Sequence, residues 1–235
     1  NTLLTTLDCG ENPLGSLDVT ANTALTSLIC NFNNLTSLDV SQNVNLLQLV
    51  CPWNQITTLD LSQNIQLTAV QCGANQLTSL DISANANLNY LQCGQTPMTQ
   101  LTATANPNMG TLDCSATLST TLDLSLWPNL QNFYANYCQL TSLNESTNTA
   151  FNDFFAAGNY LTTISLINAT NVHRVGVGNN QLTSLSVKNG NNSAISEFNA
   201  VNNPSLTCVE VSDVSYMSTH YPSSIDAGAN YSTNC

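Results

Sequence analysis

Cys9, Cys30, Cys51, Cys72, Cys93 and Cys114 recur at an unbroken interval of 21 residues. Self-similarity at a period of about 20 to 50 residues marks a stacked repeat, in which each short unit buries its apolar face only against its neighbours. The rhythm outlasts the cysteine. Steps of 21 from Cys114 reach Ala135, Ala156 and Val177, and a two-residue slip then reaches Ala200. Small apolar bulk therefore persists where sulfur stops.

One coil reads Leu46-x-x-Leu49-x-Cys51-x-x-Asn54-x-Ile56-Thr57-x-Leu59-Asp60-Leu61-Ser62-x-Asn64-x-x-Leu67, and the same template fits Leu25 to Leu46 and Leu67 to Leu88. Each coil holds the pattern L-x-x-L-x-L-x-x-N twice, once with Cys in the third apolar place and once with Val, Leu or Ile. Alternation of period two around those triplets predicts a short strand in each half-coil. Parallel pairing of neighbouring coils then buries the columns Leu28/Leu49/Val70/Leu91 and Leu38/Leu59/Leu80/Leu101. Only 10 or 11 residues separate successive strands, too few for a helical return. The expectation is a mainly β solenoid of about ten 21-residue coils over residues 1–205. Two narrow parallel sheets should lie back to back, with little or no α-helix.

Two asparagine columns mark the corners, one through Asn12, Asn33, Asn54 and Asn75, the other through Asn22, Asn43, Asn64, Asn85 and Asn106. Asn can sit in the left-handed region and use its side-chain amide to satisfy the backbone at a turn, and stacked turns let each amide bond the next coil in the manner of an asparagine ladder. The cysteine column lacks the short C-x-x-C or C-x-x-H pairs that zinc wants. Inward side chains of in-register parallel strands all point the same way, which does not suit stacked disulfides. Buried thiols acting as small hydrophobes are expected.

Two basic residues, Lys188 and Arg174, face 14 acidic ones, for a formal net charge of −12. Phosphate neutralisation is thereby excluded, and with it nucleic-acid binding and attraction to an anionic membrane surface. No apolar run is long enough to span a bilayer, so no membrane insertion is expected. The chain begins within the pattern at Asn1, as a sequence would that starts after a leader or inside a longer protein. Its 42% hydrophobic content in strict register argues for a folded chain.

From Leu206 the pattern gives way to LTCVEVSDVSYMSTHYPSSIDAGANYSTNC. A solenoid needs a polar terminal cap over its last core, and residues 206–235 are expected to supply it. Cys208 and Cys235 either remain thiols or form a disulfide that clamps this cap, and the bridge would imply an oxidising compartment.

The coil at Leu46 to Gln66 resembles the 21-residue bacterial leucine-rich repeat class called IRREKO, whose hallmark is the nested double motif; the match runs from Leu4 to about Asn203. The tail is similar to the cap of secreted leucine-rich repeat proteins that Gram-negative bacteria export through a type IX pathway. The resemblance implies a secreted or cell-surface (extracellular) bacterial module that binds proteins or glycans, and it brings no catalytic motif. Thr96, Thr102, Ser119 and Trp127 depart from the class at places of Asn, Asp, Leu and Asn, which predicts local irregularity near the middle.

Recognition belongs to outward positions that do not repeat. Tyr134, Tyr137 and Phe155 should lie on adjacent coils with Asp153, His173 and Arg174 beside them. Exposed aromatics next to hydrogen-bonding charges suit a sugar face or a peptide hot spot. The bland alternative is aromatic shielding of the sheet and a weak surface pair between Asp153 and Arg174. Phe32, Val50 and Trp53 form a smaller cluster. On the opposite side, Thr36, Thr57, Thr78, Thr99, Thr120, Thr141, Thr162 and Thr183 form one outward column, and Asp18, Asp39, Asp60, Asp81 and Asp123 another. The Thr column suggests an ice-binding surface, against which stand the hydrated carboxylates and the ordinary preference of Thr for exposed strands. Repulsion along the Asp column can be relieved by calcium, by raised carboxyl pKa values, or by hydrogen bonds from nearby Thr and Ser; no local loop offers calcium its six or more oxygens. His173 and His220 belong to no triad, and no paired carboxylates or phosphate loop are present. A non-catalytic monomer without cofactor is expected, recognising a protein or glycan through the Cys-bearing sheet, with a rigid spacer or adhesin stalk as the competing structural role.

Overall fold

A buried residue flanked by two outward ones is the shortest strand that alternates, and each coil forms one such triplet on its cysteine-bearing side. The structure is a computed structural model and describes residues 1–145 and 147–235. It divides into two compact units, Asn1–Ser119 and Thr120–Cys235.

In the first unit, strands Thr6–Asp8, Ser27–Ile29, Gln48–Val50, Ala69–Gln71, Tyr90–Gln92 and Thr111–Asp113 form one parallel sheet. Its register keeps the 21-residue step, so Leu28 pairs Leu49, Leu49 pairs Val70 and Val70 pairs Leu91. Leu25, Leu28, Cys30, Leu35 and Val40 of one coil are all buried, as are Leu46, Leu49, Cys51, Ile56 and Leu61 of the next. At about 1.5–3 kcal/mol for each large aliphatic side chain, these columns are the main favourable term. The opposite side is paired only between Ser79–Asp81 and Gln100–Thr102. Earlier coils are joined there by isolated backbone bonds, such as Gln55 N to Leu35 O at 2.7 Å and Gln76 N to Ile56 O at 2.9 Å, and by the second asparagine column, where Asn64 Nδ2 donates to Val40 O and Asn43 O at 2.9 Å.

The second unit repeats the plan with strands Asn132–Tyr134, Asp153–Phe155, Arg174–Gly176 and Glu197–Asn199 in one parallel sheet. Opposite lie Thr121–Leu122 with Ser142–Leu143, and then Thr163–Ser165, Ser184–Ser186, Cys208–Glu210 and Asn230–Ser232. Aromatic rings replace leucine in this core. Phe133 and Phe154 lie 5.4 Å apart, and Phe151 meets Phe154 edge-on at 5.3 Å. Among the described residues the helical content is two short 3-10 turns and one α-helix, Val214–His220. Asp213 caps that helix by accepting a bond from Tyr216 N at 2.9 Å. Cys208 and Cys235 are joined in a disulfide with Cα atoms 5.9 Å apart.

The corners correct one expectation. The left-handed residue is the one before the first asparagine column, at Phe32, Trp53, Ala74, Gln95, Ala116 and Tyr137, with φ between 51° and 57°. The asparagines do satisfy turn backbone and bond the neighbouring coil with their amides, as expected. Asn54 Nδ2 donates to Cys30 O at 3.0 Å and Cys51 O at 3.1 Å, while its Oδ1 accepts from Asn33 N and Leu35 N at 3.0 Å. Amide therefore meets main chain rather than another amide. The reason is supply: a chain leaving a strand through a left-handed residue strands two carbonyls and two N–H groups, and one carboxamide carries the four complementary sites.

At two of the four departures, Thr96 and Trp127, part of the lost asparagine bonding is made up. Thr96 Oγ1 keeps one of the asparagine bonds, to Cys93 O at 3.0 Å. Trp127 is buried where other coils have Asn, behind the 3-10 turn Leu124–Leu126. The next coil's Asn148 Nδ2 covers its carbonyl at 2.7 Å.

Candidate functional site

All six residues singled out for recognition lie in the second unit, on three successive strands or their flanks. The register sets Asp153 directly beside Arg174 and Tyr134 directly beside Phe155, with Gly176 next in that row. Tyr134 and Phe155 stack with centroids 5.7 Å apart and planes 16° from parallel. The Arg174 guanidinium carbon sits 5.7 Å from the Phe155 centroid, a cation–π distance.

Asp153 is not the exposed charge expected. It is 5% exposed and is enclosed by its own partners. Its Oδ1 accepts from Arg174 Nε at 2.7 Å, and its Oδ2 accepts from Arg174 Nη2 and from Tyr134 Oη, the latter at 2.6 Å. Burial pushes this carboxyl up, but the Arg174 and Tyr134 hydrogen bonds and the nearby Arg174 and His173 charges outweigh it, so the group is held below the ordinary carboxylate range. The pair is thus more than a weak surface contact. A buried carboxylate forked by a guanidinium fixes both the cation and the phenol. His173 is exposed beside it, and its ring makes no hydrogen bond among the described residues.

Tyr137 is 71% exposed and occupies the left-handed corner rather than the strand. Two glycines, Gly176 and Gly158, shape these rings. A Cβ on Gly176 would fall 2.5 Å from Phe155 Cδ1, and one on Gly158 would fall 2.6 Å from Tyr137 Cδ1. Each ring therefore lies flat on the backbone of the following coil. The signal was available in the sequence, as a glycine 21 residues after each aromatic in its own column. Glu197, in register with Arg174, completes an exposed rim.

The other columns resolve as follows. Asp18, Asp39, Asp60, Asp81 and Asp123 each accept from the backbone N–H two residues on, at 2.8 to 3.0 Å. These bonds hold the carboxyls below their usual range even where neighbouring aspartates push upward, as at Asp39. Of the reliefs considered, raised pKa values are overturned and hydrogen bonds from Thr and Ser are found. The Thr column is exposed throughout. Burial pushes the Cys30 and Cys72 thiols up to about 12, so they stay protonated and inert as nucleophiles. Among the described residues, no group of three or more His, Cys, Asp or Glu side chains is placed to hold a metal, and no helix is long and apolar enough to cross a membrane.

No protein-family model and no curated protein sequence matches the chain. Among solved structures it is similar to the functional domain of InlJ from Listeria monocytogenes, which includes a cysteine ladder. Identity there is 34% over 92% of this chain and 46% of that one, with a TM-score of 0.79. A leucine-rich repeat protein of Leptospira interrogans aligns at 19% identity over 88% of this chain and 67% of its own, TM-score 0.68. YopM from Yersinia enterocolitica aligns at 20% over 88% and 52%, TM-score 0.66. The last two bear on fold alone. The chain spans about half the length of the InlJ domain and of YopM. Its fold is that of bacterial leucine-rich repeat proteins, a β-solenoid with parallel sheets and, among the described residues, one short α-helix.

Proposed function

We propose that this chain is a non-catalytic recognition module of a secreted or cell-surface bacterial protein, in the 21-residue leucine-rich repeat class. In this reading it acts as a monomer and binds a protein or glycan partner through Tyr134, Tyr137, Phe155, Asp153, His173 and Arg174, with residues 206–235 as its cap. One observation carries the reading. The carboxylate of Asp153 is withdrawn from solvent and used to lock Tyr134 and Arg174 around Phe155. Sheet shielding needs no such lock, because other coils place Gln71 and Gln92 or Asp113 in the Tyr134/Phe155 row. A platform held rigid before contact loses less side-chain entropy on binding, which favours affinity. The Cys208–Cys235 disulfide supports an oxidising, extracellular setting.

The test is a parallel screen of wild type and a Tyr134→Ala/Phe155→Ala variant against glycans and extracellular proteins, with melting curves for both. A partner bound by wild type and lost at least tenfold in a variant that still melts cooperatively supports the platform. Equal binding by both proteins removes the platform and places recognition elsewhere on the chain, whereas no partner for either leaves the solenoid as a spacer.

A further inference from the structure

The first unit holds a second aromatic feature, and the repeat itself shows that the fold does not require it. Phe32 and Trp53 occupy successive left-handed corners and stack with centroids 5.4 Å apart and planes 5° from parallel. Both remain half exposed, at 49% and 52%. The same corner, at the same φ, is filled by Ala74 and Ala116 in later coils. Aromatic bulk is therefore an addition to the corner, not a condition of it.

Trp53 covers one face of the Phe32 ring. Phe32 also lines a shallow cavity of about 460 Å³ with Glu11, Asn12, Pro13 and Asn34. Glu11, Asn12 and Pro13 belong to the preceding coil, away from Trp53, so the uncovered ring face is the one turned to the cavity. That volume is in the range of small-ligand sites, roughly 300 to 1,000 Å³. The cavity thus combines an open π face, a proline, two carboxamides and one carboxylate. An aromatic face beside a carboxylate attracts a cation through the ring quadrupole and through Coulomb's law together. The field around it has one sign. Residues 1–119 contain seven carboxylates, from Asp8 to Asp113, and no Lys, Arg or His. A neutral sugar gains nothing from such a field, whereas a basic polypeptide is steered into it.

We infer that the Phe32–Glu11 cavity of the first unit accepts a lysine or arginine side chain from a basic segment of a partner protein. This site is independent of the platform proposed above.

The inference is tested on the full 235-residue chain with an end-blocked peptide of alternating lysine and glycine, followed by Trp emission and calorimetry. Trp127 is buried, so Trp53 is the exposed reporter. Wild type should bind with a change in Trp53 emission. Phe32→Leu, which keeps apolar cover but removes the π face, and Glu11→Gln, an exposed change, should each weaken binding by about fivefold. Asp60→Asn/Asp81→Asn, which alters equal or greater charge elsewhere in the same unit, should stay within twofold. Tyr134→Ala/Phe155→Ala should also stay within twofold, so failure of the platform is distinguishable from failure of this site. Three outcomes overturn the inference: no binding of the lysine peptide at millimolar concentration; equal weakening by the Asp60/Asp81 variant, which reduces the effect to bulk charge; or emission changes with a neutral glucose hexasaccharide in place of the peptide.

Discussion

Asp153 and Glu145 are both withdrawn from water, yet their acidities move in opposite directions, and the difference is a matter of partners. Asp153 is held low by Arg174 and Tyr134 against its burial. Glu145 is 8% exposed and stands in a column that otherwise reads Val19, Val40, Leu61, Ile82, Ala103, Leu124, Leu166 and Val187. Burial pushes its carboxyl up, and the Ser165 N–H, donating at 2.7 Å, offsets only part of that. The signs of linkage follow. A depressed carboxyl contributes stability above its ordinary pKa, and this is lost as pH falls through the folded value. A raised carboxyl costs stability as pH rises from its ordinary pKa through the folded one. Glu145→Gln should therefore melt roughly 2–4 °C higher than wild type at pH 7 and with it near pH 4. Asp153→Asn should melt lower at pH 7, with the gap closing in acid. Melting curves across pH 3–8 check both, and a Glu145→Gln midpoint below wild type at pH 7 would show that the carboxylate is a structural asset.

At the scale of one coil, the corner asparagine decides whether neighbouring coils stay joined. Asn54 satisfies two carbonyls and two N–H groups, all buried between coils. Alanine there would orphan all four, at about 1–3 kcal/mol for a buried polar group left unpaired, partly relieved by entering water. We expect Asn54→Ala to lose about 2–4 kcal/mol, among the larger single-site losses. Cys72→Ala should cost far less, because Ala135 and Ala156 already fill that column in other coils without loss of burial. Urea unfolding of the two variants checks the order. If Cys72→Ala proves the more damaging, sulfur does something in the ladder beyond filling space.

For the molecule as a whole, stability is close to a sum of coils and their nearest-neighbour interfaces, so ends matter more than in a globular core. The Cys208–Cys235 bridge closes a span of 27 residues around the α-helix Val214–His220. On a chain-entropy basis such a loop is worth about 3–4 kcal/mol. Cys208→Ser/Cys235→Ser should lower the unfolding free energy of the second unit by that order, most visibly as faster amide exchange across residues 208–235. Unchanged protection there would show that Asp213, Met217 and Tyr231 hold the segment without the bridge.

The 21-residue coil, the buried columns and the thiol ladder were legible in the sequence, because a repeat writes its packing rule many times over and each copy touches only its neighbours. The aromatic cluster around Tyr134 and Phe155 was legible for the same reason, since breaks in a rule stand out. Other features were decided only when coils were stacked. The burial of Asp153 depends on what Arg174 and Tyr134 do above and below it, 21 and 19 residues away. The left-handed turn fell on Trp53 rather than Asn54 because the carboxamide was needed to bridge two coils. Glu145 became a buried acid because the column it entered was already closed to water. Periodicity reports which positions face inward; whether a polar side chain at such a place is satisfied, and by whom, is settled by the neighbouring coils in three dimensions.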